Sequence, residues 1–236
     1  MKQFAGAYKH SDVVIMTALS DVVEMSLRDI SRDIAKRMDT HIRDILSGIG
    51  SAIGGSGKAV ANVVTADILR SSDLLKAAVK LDTAENPRPA DGHFPFVTHP
   101  LATFDLQASL TGNSWLEVNK QASDNTVGLL YRGEVGRIFG ARVITSTNVQ
   151  RVIGSPMSAT GATGYRSMMF APDAYYVTEI SDMTAKTFVK QLGSAGAADP
   201  VNQYATVGAK VFFTALAANW GSEVRMIRIL HGSNVV

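Results

Sequence analysis

The chain has 236 residues, no cysteine, a formal charge of +2, and 19% charged against 46% hydrophobic residues. The lack of cysteine excludes disulfides, thiolate metal sites and cysteine nucleophiles, and so small a charge excludes a dedicated nucleic-acid reader, though not a surface that lies near DNA. No apolar run approaches the roughly 20 residues that span a bilayer, and the N-terminus is not a signal peptide, so the chain reads as intracellular when made, with a lightly charged surface suited to subunit contacts.

Ala7 to Leu19 has a β-branched centre, Val13-Val14-Ile15, that predicts a strand with no sequence-adjacent partner before it. Asp21 to Leu46 follows with an unbroken helical period: Val23, Leu27, Ile30, Ile34, Met38, Ile42 and Ile45 fall in one apolar stripe. Ser20 is the expected N-cap, Gly48 the expected C′ residue, and Glu24–Arg28, Asp33–Arg37 and Asp39–Arg43 the expected i,i+4 ion pairs. Ser47 to Lys58 reads as a mobile Gly/Ser-rich connection. Thr65 then caps a second helix, Ala66 to Lys80, expected to bury Ile68, Leu75 and Val79.

After a Pro-rich break at Glu85 to Gly92, Phe94 to Thr98 reads as a buried strand, and Pro100 opens a third helix reaching about Leu110. Strands are expected at Val127 to Tyr131, Arg142 to Thr147, Met168 to Phe170, Ala174 to Ile180 and Thr187 to Leu192. Loops are expected at Gly154 to Gly164 and Gly193 to Ala198. Gln203 to Ala217 and Glu223 to Leu230 flank Asn219-Trp220-Gly221-Ser222 and read as a hairpin.

Motifs for chemistry fail on their spacing. Gly54-Gly55-Ser56-Gly57-Lys58 has Ala52 where a phosphate-binding loop needs its first glycine, and Ala59 where it needs a hydroxyl. Gly133, Gly136 and Gly140 do not have dinucleotide-binding spacing and read as turn glycines. His10, His41, His93, His99 and His231 match no zinc pattern, and no G-x-S-x-G elbow anchors a serine triad. No catalytic, cofactor-binding or metal-binding residue is therefore assigned, and no cofactor. Arg32, Lys36 and Arg43 alternate with acids and read as a solvated face; sequence-blind contact with packaged nucleic acid is the functional alternative.

Four segments in order carry a resemblance. They are Gln3 to Met25, His99 to Gln107, Trp115 to Ser123 with Gly133 to Asn148, and Gly193 to Trp220. Their most specific parts are Gly133-Glu134-Val135-Gly136-Arg137 with Thr145 to Asn148, and Asp199 to Gln203 with Thr206 to Lys210. Together they resemble the major capsid proteins of N-four-like tailed phages, a branch of the Hong Kong 97-like capsid fold. The match runs from Gln3 to Leu230 and rests on turn and strand landmarks rather than catalytic motifs.

The resemblance implies an α+β fold in which a long spine helix lies over a β-sheet and an α/β axial domain is inserted. Residues 1–64 would form the inner leg of an extended loop plus the spine, 65–198 the axial domain, and 199–236 the returning hairpin of the peripheral domain. Family members carry an N-terminal arm and the outward leg of that loop ahead of the matching segment, and the resemblance implies that both are missing here. It implies a non-enzymatic shell protein of the virion, assembled in the host cytoplasm into hexamers and pentamers of itself around double-stranded DNA. Scaffolding, portal or decoration proteins are further partners it allows, and no membrane is implied. An encapsulin-like nanocompartment shell and an unrelated intracellular α+β enzyme are the alternatives.

Overall fold

The computed structural model describes residues 2–48, 51–109, 134–154, 163–179, 185–194, 199–218 and 224–233. In chain order, the first half contains β1 (Lys2–Ser11), α1 (Asp12–Thr17), α2 (Val22–Ser47), β2 (Ser51–Gly54), α3 (Ser71–Thr83), β3 (Phe94–Thr98) and α4 (Pro100–Ser109). The second half contains β4 (Glu134–Ile138), β5 (Ala141–Thr145), β6 (Gln150–Ile153), β7 (Thr163–Phe170), β8 (Tyr175–Glu179), β9 (Lys186–Lys190), β10 (Tyr204–Ala217) and β11 (Met226–His231). The expected strand at 127–131 and most of the loop at 154–164 lie outside the described residues, as do 195–198 and the turn at 219–222.

Two compact units form: residues 1–42 with 177–216, and residues 43–176 with 217–236. These bounds differ from 1–64, 65–198 and 199–236 because strand pairing, not sequence order, gathers the pieces. β2 joins the second unit's sheet beside β11, while β9 joins the first unit's sheet beside β10.

The first unit is a helix on a sheet. α2 has 26 residues and so runs roughly 39 Å. Its stripe meets the sheet where Ile30 packs with Val207 and Ala209, flanked by Val23, Leu27 and Ile34. The stripe and the helix bounds agree with the sequence reading. The cap differs: Asp21, not Ser20, accepts the Val23 and Glu24 N–H groups through Oδ1. Beneath the helix, β1 pairs antiparallel with β10 from Lys2↔Phe213 to Ser11↔Tyr204, with β8 and β9 also joined to β10. Val13-Val14-Ile15 is helical, not strand: the Ser11 hydroxyl accepts from Val14 N–H and starts α1, so the strand lies earlier than Ala7 to Leu19.

The second unit has a seven-stranded sheet in the order β2-β11-β7-β3-β5-β4, with β6 paired to β7. Leu69, Leu74, Leu81, Phe94, Phe96, Leu106, Met169, Ile227 and Ile229 build its main core. β10 and β11 belong to different sheets, so the hairpin expected from Gln203 to Leu230 does not form: β11 runs between β2 and β7. Ser51 to Gly54 is a strand, not a linker, because β11 offers it a parallel edge from Ser51↔Ile227 to Gly54↔Leu230.

α3 begins at Ser71 rather than Ala66 and buries Leu74, Ala77, Ala78 and Leu81, leaving Leu75 and Val79 exposed. Two apolar stripes overlap in its sequence, and the one containing two alanines lets the helix approach the sheet more closely. Glu134 to Ile138, read as a glycine turn, is a strand; the turn is Phe139-Gly140, both at positive φ, which joins β4 to β5.

Candidate functional site

The Gly54 to Lys58 segment folds into a single turn of 3-10 helix after β2, and its amides converge on an anion. That anion is internal. Asp73 accepts the Ser56 N–H at 3.0 Å, the Gly57 N–H at 3.1 Å and the Arg70 N–H at 3.2 Å. Lys58 Nζ reaches the Asp67 carboxylate at 2.8 Å, and Val64 N–H donates to the same group. Burial alone would raise the Asp67 pKa, but the bonds from Lys58 and Val64 outweigh it and hold the carboxyl below 3.8. The donors a phosphate would need are thus engaged by Asp73 and Asp67. Beside this turn, Ile53, Val60, Leu75 and Val79 line an open groove of about 640 Å³ with Lys76 and Lys80.

The histidines are dispersed. His10 Nε2 lies 2.6 Å from Ser26 Oγ, and the Ser26 hydroxyl donates to Val22 O, so His10 is the donor of that pair. His41 packs between Phe4 and Phe213 at ring distances of 5.4 and 6.1 Å. His93 donates from Nδ1 to Asp91 O. His99 stacks on Tyr165 at 4.4 Å, and burial lowers its pKa below 6.5.

Among the described residues, His231 makes the arrangement nearest to catalytic chemistry. Its Nδ1–H donates to Gly232 O at 2.9 Å, which leaves Nε2 to accept the Ser167 hydroxyl at 2.7 Å; Thr98 Oγ1 in turn lies 2.7 Å from Ser167 Oγ. A hydroxyl on an imidazole is the beginning of a nucleophile and base. Here Thr98, Ser167 and His231 each have 0% exposure, so no substrate reaches them, and the chain of hydroxyls ties β3, β7 and β11 together. Burial holds the His231 imidazole neutral, with its pKa lowered to about 4. Among the described residues no cluster of His, Asp and Glu could hold a metal, and no helix is long and apolar enough to cross a membrane.

Surfaces remain. α1 buries none of its residues, and Val13, Val14, Met16 and Leu19 stand exposed, an apolar patch of the kind that marks a protein contact. Along α2, Glu24–Arg28 at 3.0 Å and Asp33–Arg37 at 2.7 Å form as expected, both well solvated and worth little. Arg43, expected on Asp39, binds Asp44 at 2.7 Å and Asn148 Oδ1 at 3.0 Å. Arg166 and Arg228 both donate to the Ser47 carbonyl at the C-terminus of α2, where positive charge is favoured by the negative end of the helix dipole. Burial lowers the Arg228 pKa, with the neighbouring Arg166 charge adding to the effect.

Comparison of the sequence with protein families and with curated proteins finds no match. Comparison of the fold does. The chain is similar to the capsid of Ralstonia phage GP4 with a TM-score of 0.80 at 12% identity, over 99% of this chain and 73% of that one. The fold is the Hong Kong 97-like capsid fold. The head structure of Helicobacter pylori bacteriophage KHP40 is similar at a TM-score of 0.67 and 12% identity, over 98% of this chain and 75% of that one. The holo-SrpI encapsulin complex from Synechococcus elongatus is similar at 0.61 and 8%, over all of this chain and 75% of that one. In this capsid fold the long helix and the two sheets are thus shared architecture, and the polar network at His231 is internal to one sheet. Sequence reasoning missed that network because Thr98, Ser167 and His231 share no spacing; only the apolar neighbours of each residue hinted at burial.

Proposed function

We propose that the chain is a phage major capsid protein that assembles with copies of itself, as hexamers and pentamers, into an icosahedral shell around double-stranded DNA. The observation that carries this reading is the extent of the fold likeness, 99% of the chain at a TM-score of 0.80 to a phage capsid, which leaves almost no segment outside the shared architecture. The unit holding α2 and β10 serves as the peripheral domain, and the unit holding α3, α4 and the seven-stranded sheet serves as the axial domain. The exposed apolar residues Val13, Val14, Met16 and Leu19 suit contacts between copies, which bury such patches. The role is structural, with no catalytic residue, and the place of action is the virion after assembly in the host cytoplasm.

Negative-stain microscopy and sizing of the purified chain test this reading. Capsomer rings or closed shells are expected. A chain that stays a monodisperse monomer at high concentration contradicts it. The encapsulin likeness supports a second reading, a shell around a protein cargo. Nuclease-protected DNA inside isolated shells favours the phage capsid; a stoichiometric co-purifying protein favours the nanocompartment.

A further inference from the structure

β1, β9 and β10 together contain five lysines and no aspartate or glutamate; β8, also joined to β10, contributes the single acid Glu179. Directly opposed residues of an antiparallel pair share a face, so the registers sort these side chains. Phe4, Gly6 and His10 oppose Val211, Ala209 and Ala205, and this face is the one α2 covers: Ile30 packs on Val207 and Ala209, and Ser26 bonds His10. Lys2, opposite Phe213, belongs to that face. The opposite face carries Lys9 beside Thr206, Lys190 also beside Thr206, and Lys186 beside Lys210.

The result is a four-cation array on one side of the sheet. Lys190, Thr206 and Lys9 form one row across three strands, and Lys186, Lys210 and Ala5 form the next. With strands about 4.8 Å apart and about 3.4 Å per residue, the rows span roughly 10 Å and stand roughly 13 Å apart. Between them runs the row Phe188, Gly208 and Ala7, so the floor is low at β10 and β1 and an exposed aromatic ring stands on it at β9. Aromatic rings of the same face lie against two of the cations. Lys9 Nζ is 3.4 Å from the Tyr204 ring centroid, and Lys210 Nζ is 5.3 Å from that of Phe188 and 5.8 Å from that of Phe212. Lys9, Lys186 and Lys190 are exposed.

Two like charges directly opposed, as Lys186 and Lys210 are, repel each other across the strand pair. An arrangement of that kind is relieved by a polyanion. Duplex DNA presents a phosphate charge about every 1.7 Å along its axis, so roughly eight such charges fall along the roughly 13 Å between the two rows, enough to partner all four cations. We infer that the face of the first sheet carrying Lys9, Lys186, Lys190 and Lys210 is the surface that binds the phosphate backbone of duplex DNA without reading sequence. This rests on the shell reading, in which one face of the subunit meets the packaged genome.

The test uses the full chain under conditions where sizing shows it dispersed, with a fluorescein-labelled duplex of about 30 base pairs titrated by anisotropy across a salt series. Four phosphate contacts give a slope of log K against log salt near roughly −3.6, and each lysine removed reduces it by about 0.9. K186Q/K190Q/K210Q therefore leaves a slope of about −0.9 and weakens binding by roughly tenfold or more at low salt. R32Q/K36Q on the exposed side of α2 leaves both unchanged. Circular dichroism with urea unfolding checks that the triple variant stays folded. Unchanged binding in the triple variant, or greater loss in R32Q/K36Q, overturns the inference. So does equal affinity for polyglutamate, which would make an acidic protein segment the occupant. If the triple variant loses assembly while keeping DNA affinity, the face joins copies of the chain and the inference fails. Assembly is read separately by sizing, so a chain that binds duplex through these lysines yet forms no shell refutes the shell reading alone.

Discussion

Asp73 closes the turn at Gly57: its Oδ1 accepts the Gly57 N–H at 3.1 Å, while Oδ2 accepts those of Ser56 and Arg70 at 3.0 and 3.2 Å. The Asp73 side chain is wholly buried, so removing its carboxylate strips three backbone donors of their acceptor at a buried position. Each orphaned buried donor costs about 1–3 kcal/mol. Asp73→Ala is expected to destabilise the chain by about 3 kcal/mol or more in urea unfolding. Asp73→Asn, which keeps one acceptor oxygen, should cost clearly less. Equal losses in the two variants would mean that the carboxylate does not organise the turn.

The buried imidazole of His231 makes stability depend on pH. Its pKa is lowered to about 4 in the folded chain, against about 6.5 for an unfolded histidine. The folded state therefore refuses a proton that the unfolded state accepts. Stability is complete above about pH 6.5, falls as pH drops from there toward 4, and levels off for this group below 4, a total loss of about 3 kcal/mol. Asp67 acts in a lower window: its carboxyl is held below 3.8, so the stability it brings is present above that pH and is lost as pH falls through its folded value. Urea midpoints at about pH 7.5, 6.0 and 4.5 should decline in the parent chain. His231→Gln should be weaker at about pH 7.5 and flatter over the same range. A slope that survives in His231→Gln would place the titrating group elsewhere.

The long helix separates folding from surface chemistry. Ile30 is 3% exposed and packs on Val207 and Ala209, whereas Arg32 is exposed to solvent. Ile30→Asp puts a charge into an apolar contact and should cost about 4 kcal/mol. Arg32→Glu should change stability by no more than about 0.5 kcal/mol and show its effect, if α2 meets a neighbouring copy, in sizing and microscopy. Comparable unfolding by both changes would mean that the outward side of α2 is packed within the subunit.

Much of the fold is legible in the sequence because it is local. The stripe from Val23 to Ile45 places α2 within a residue at each end, and Phe94 to Thr98 and Pro100 onward are located as expected. Ser51 to Gly54 is not legible, since its conformation comes from the edge of β11, far later in the chain, in the register Ile227↔Ser51, and nothing in Ser-Ala-Ile-Gly asks for a strand. The same long-range pairing divides β10 from β11, although the sequence between them has the composition of a turn. In α3, Leu74 and Leu75 are adjacent, so the pattern alone does not choose the buried stripe; contact with the sheet chooses Leu74. The lysine face is hidden because alternation on β1, β9 and β10 becomes meaningful only once their registers are known.

Gly232 tests how tightly the end of β11 is held. Its N–H donates to Asp67 O at 2.8 Å, and it bridges Ile68. A Cβ at this position would lie 1.8 Å from Thr65 O, a backbone atom that cannot rotate away. Gly232→Ala must therefore push apart the Thr65 to Asp67 segment and the strand carrying His231, at an expected cost of about 3 kcal/mol or more. Gly154 is the control: it sits at φ +73 with none of the described residues within 4 Å of an added side-chain carbon. Gly154→Ala should cost only the backbone strain, about 1 kcal/mol. Urea unfolding of the two variants measures the difference, and hydrogen exchange at Gly232 and Ile229 should rise in Gly232→Ala alone if the collision loosens this end of the sheet. A Gly232→Ala chain as stable as Gly154→Ala would mean that Thr65 and Gly232 are not in contact.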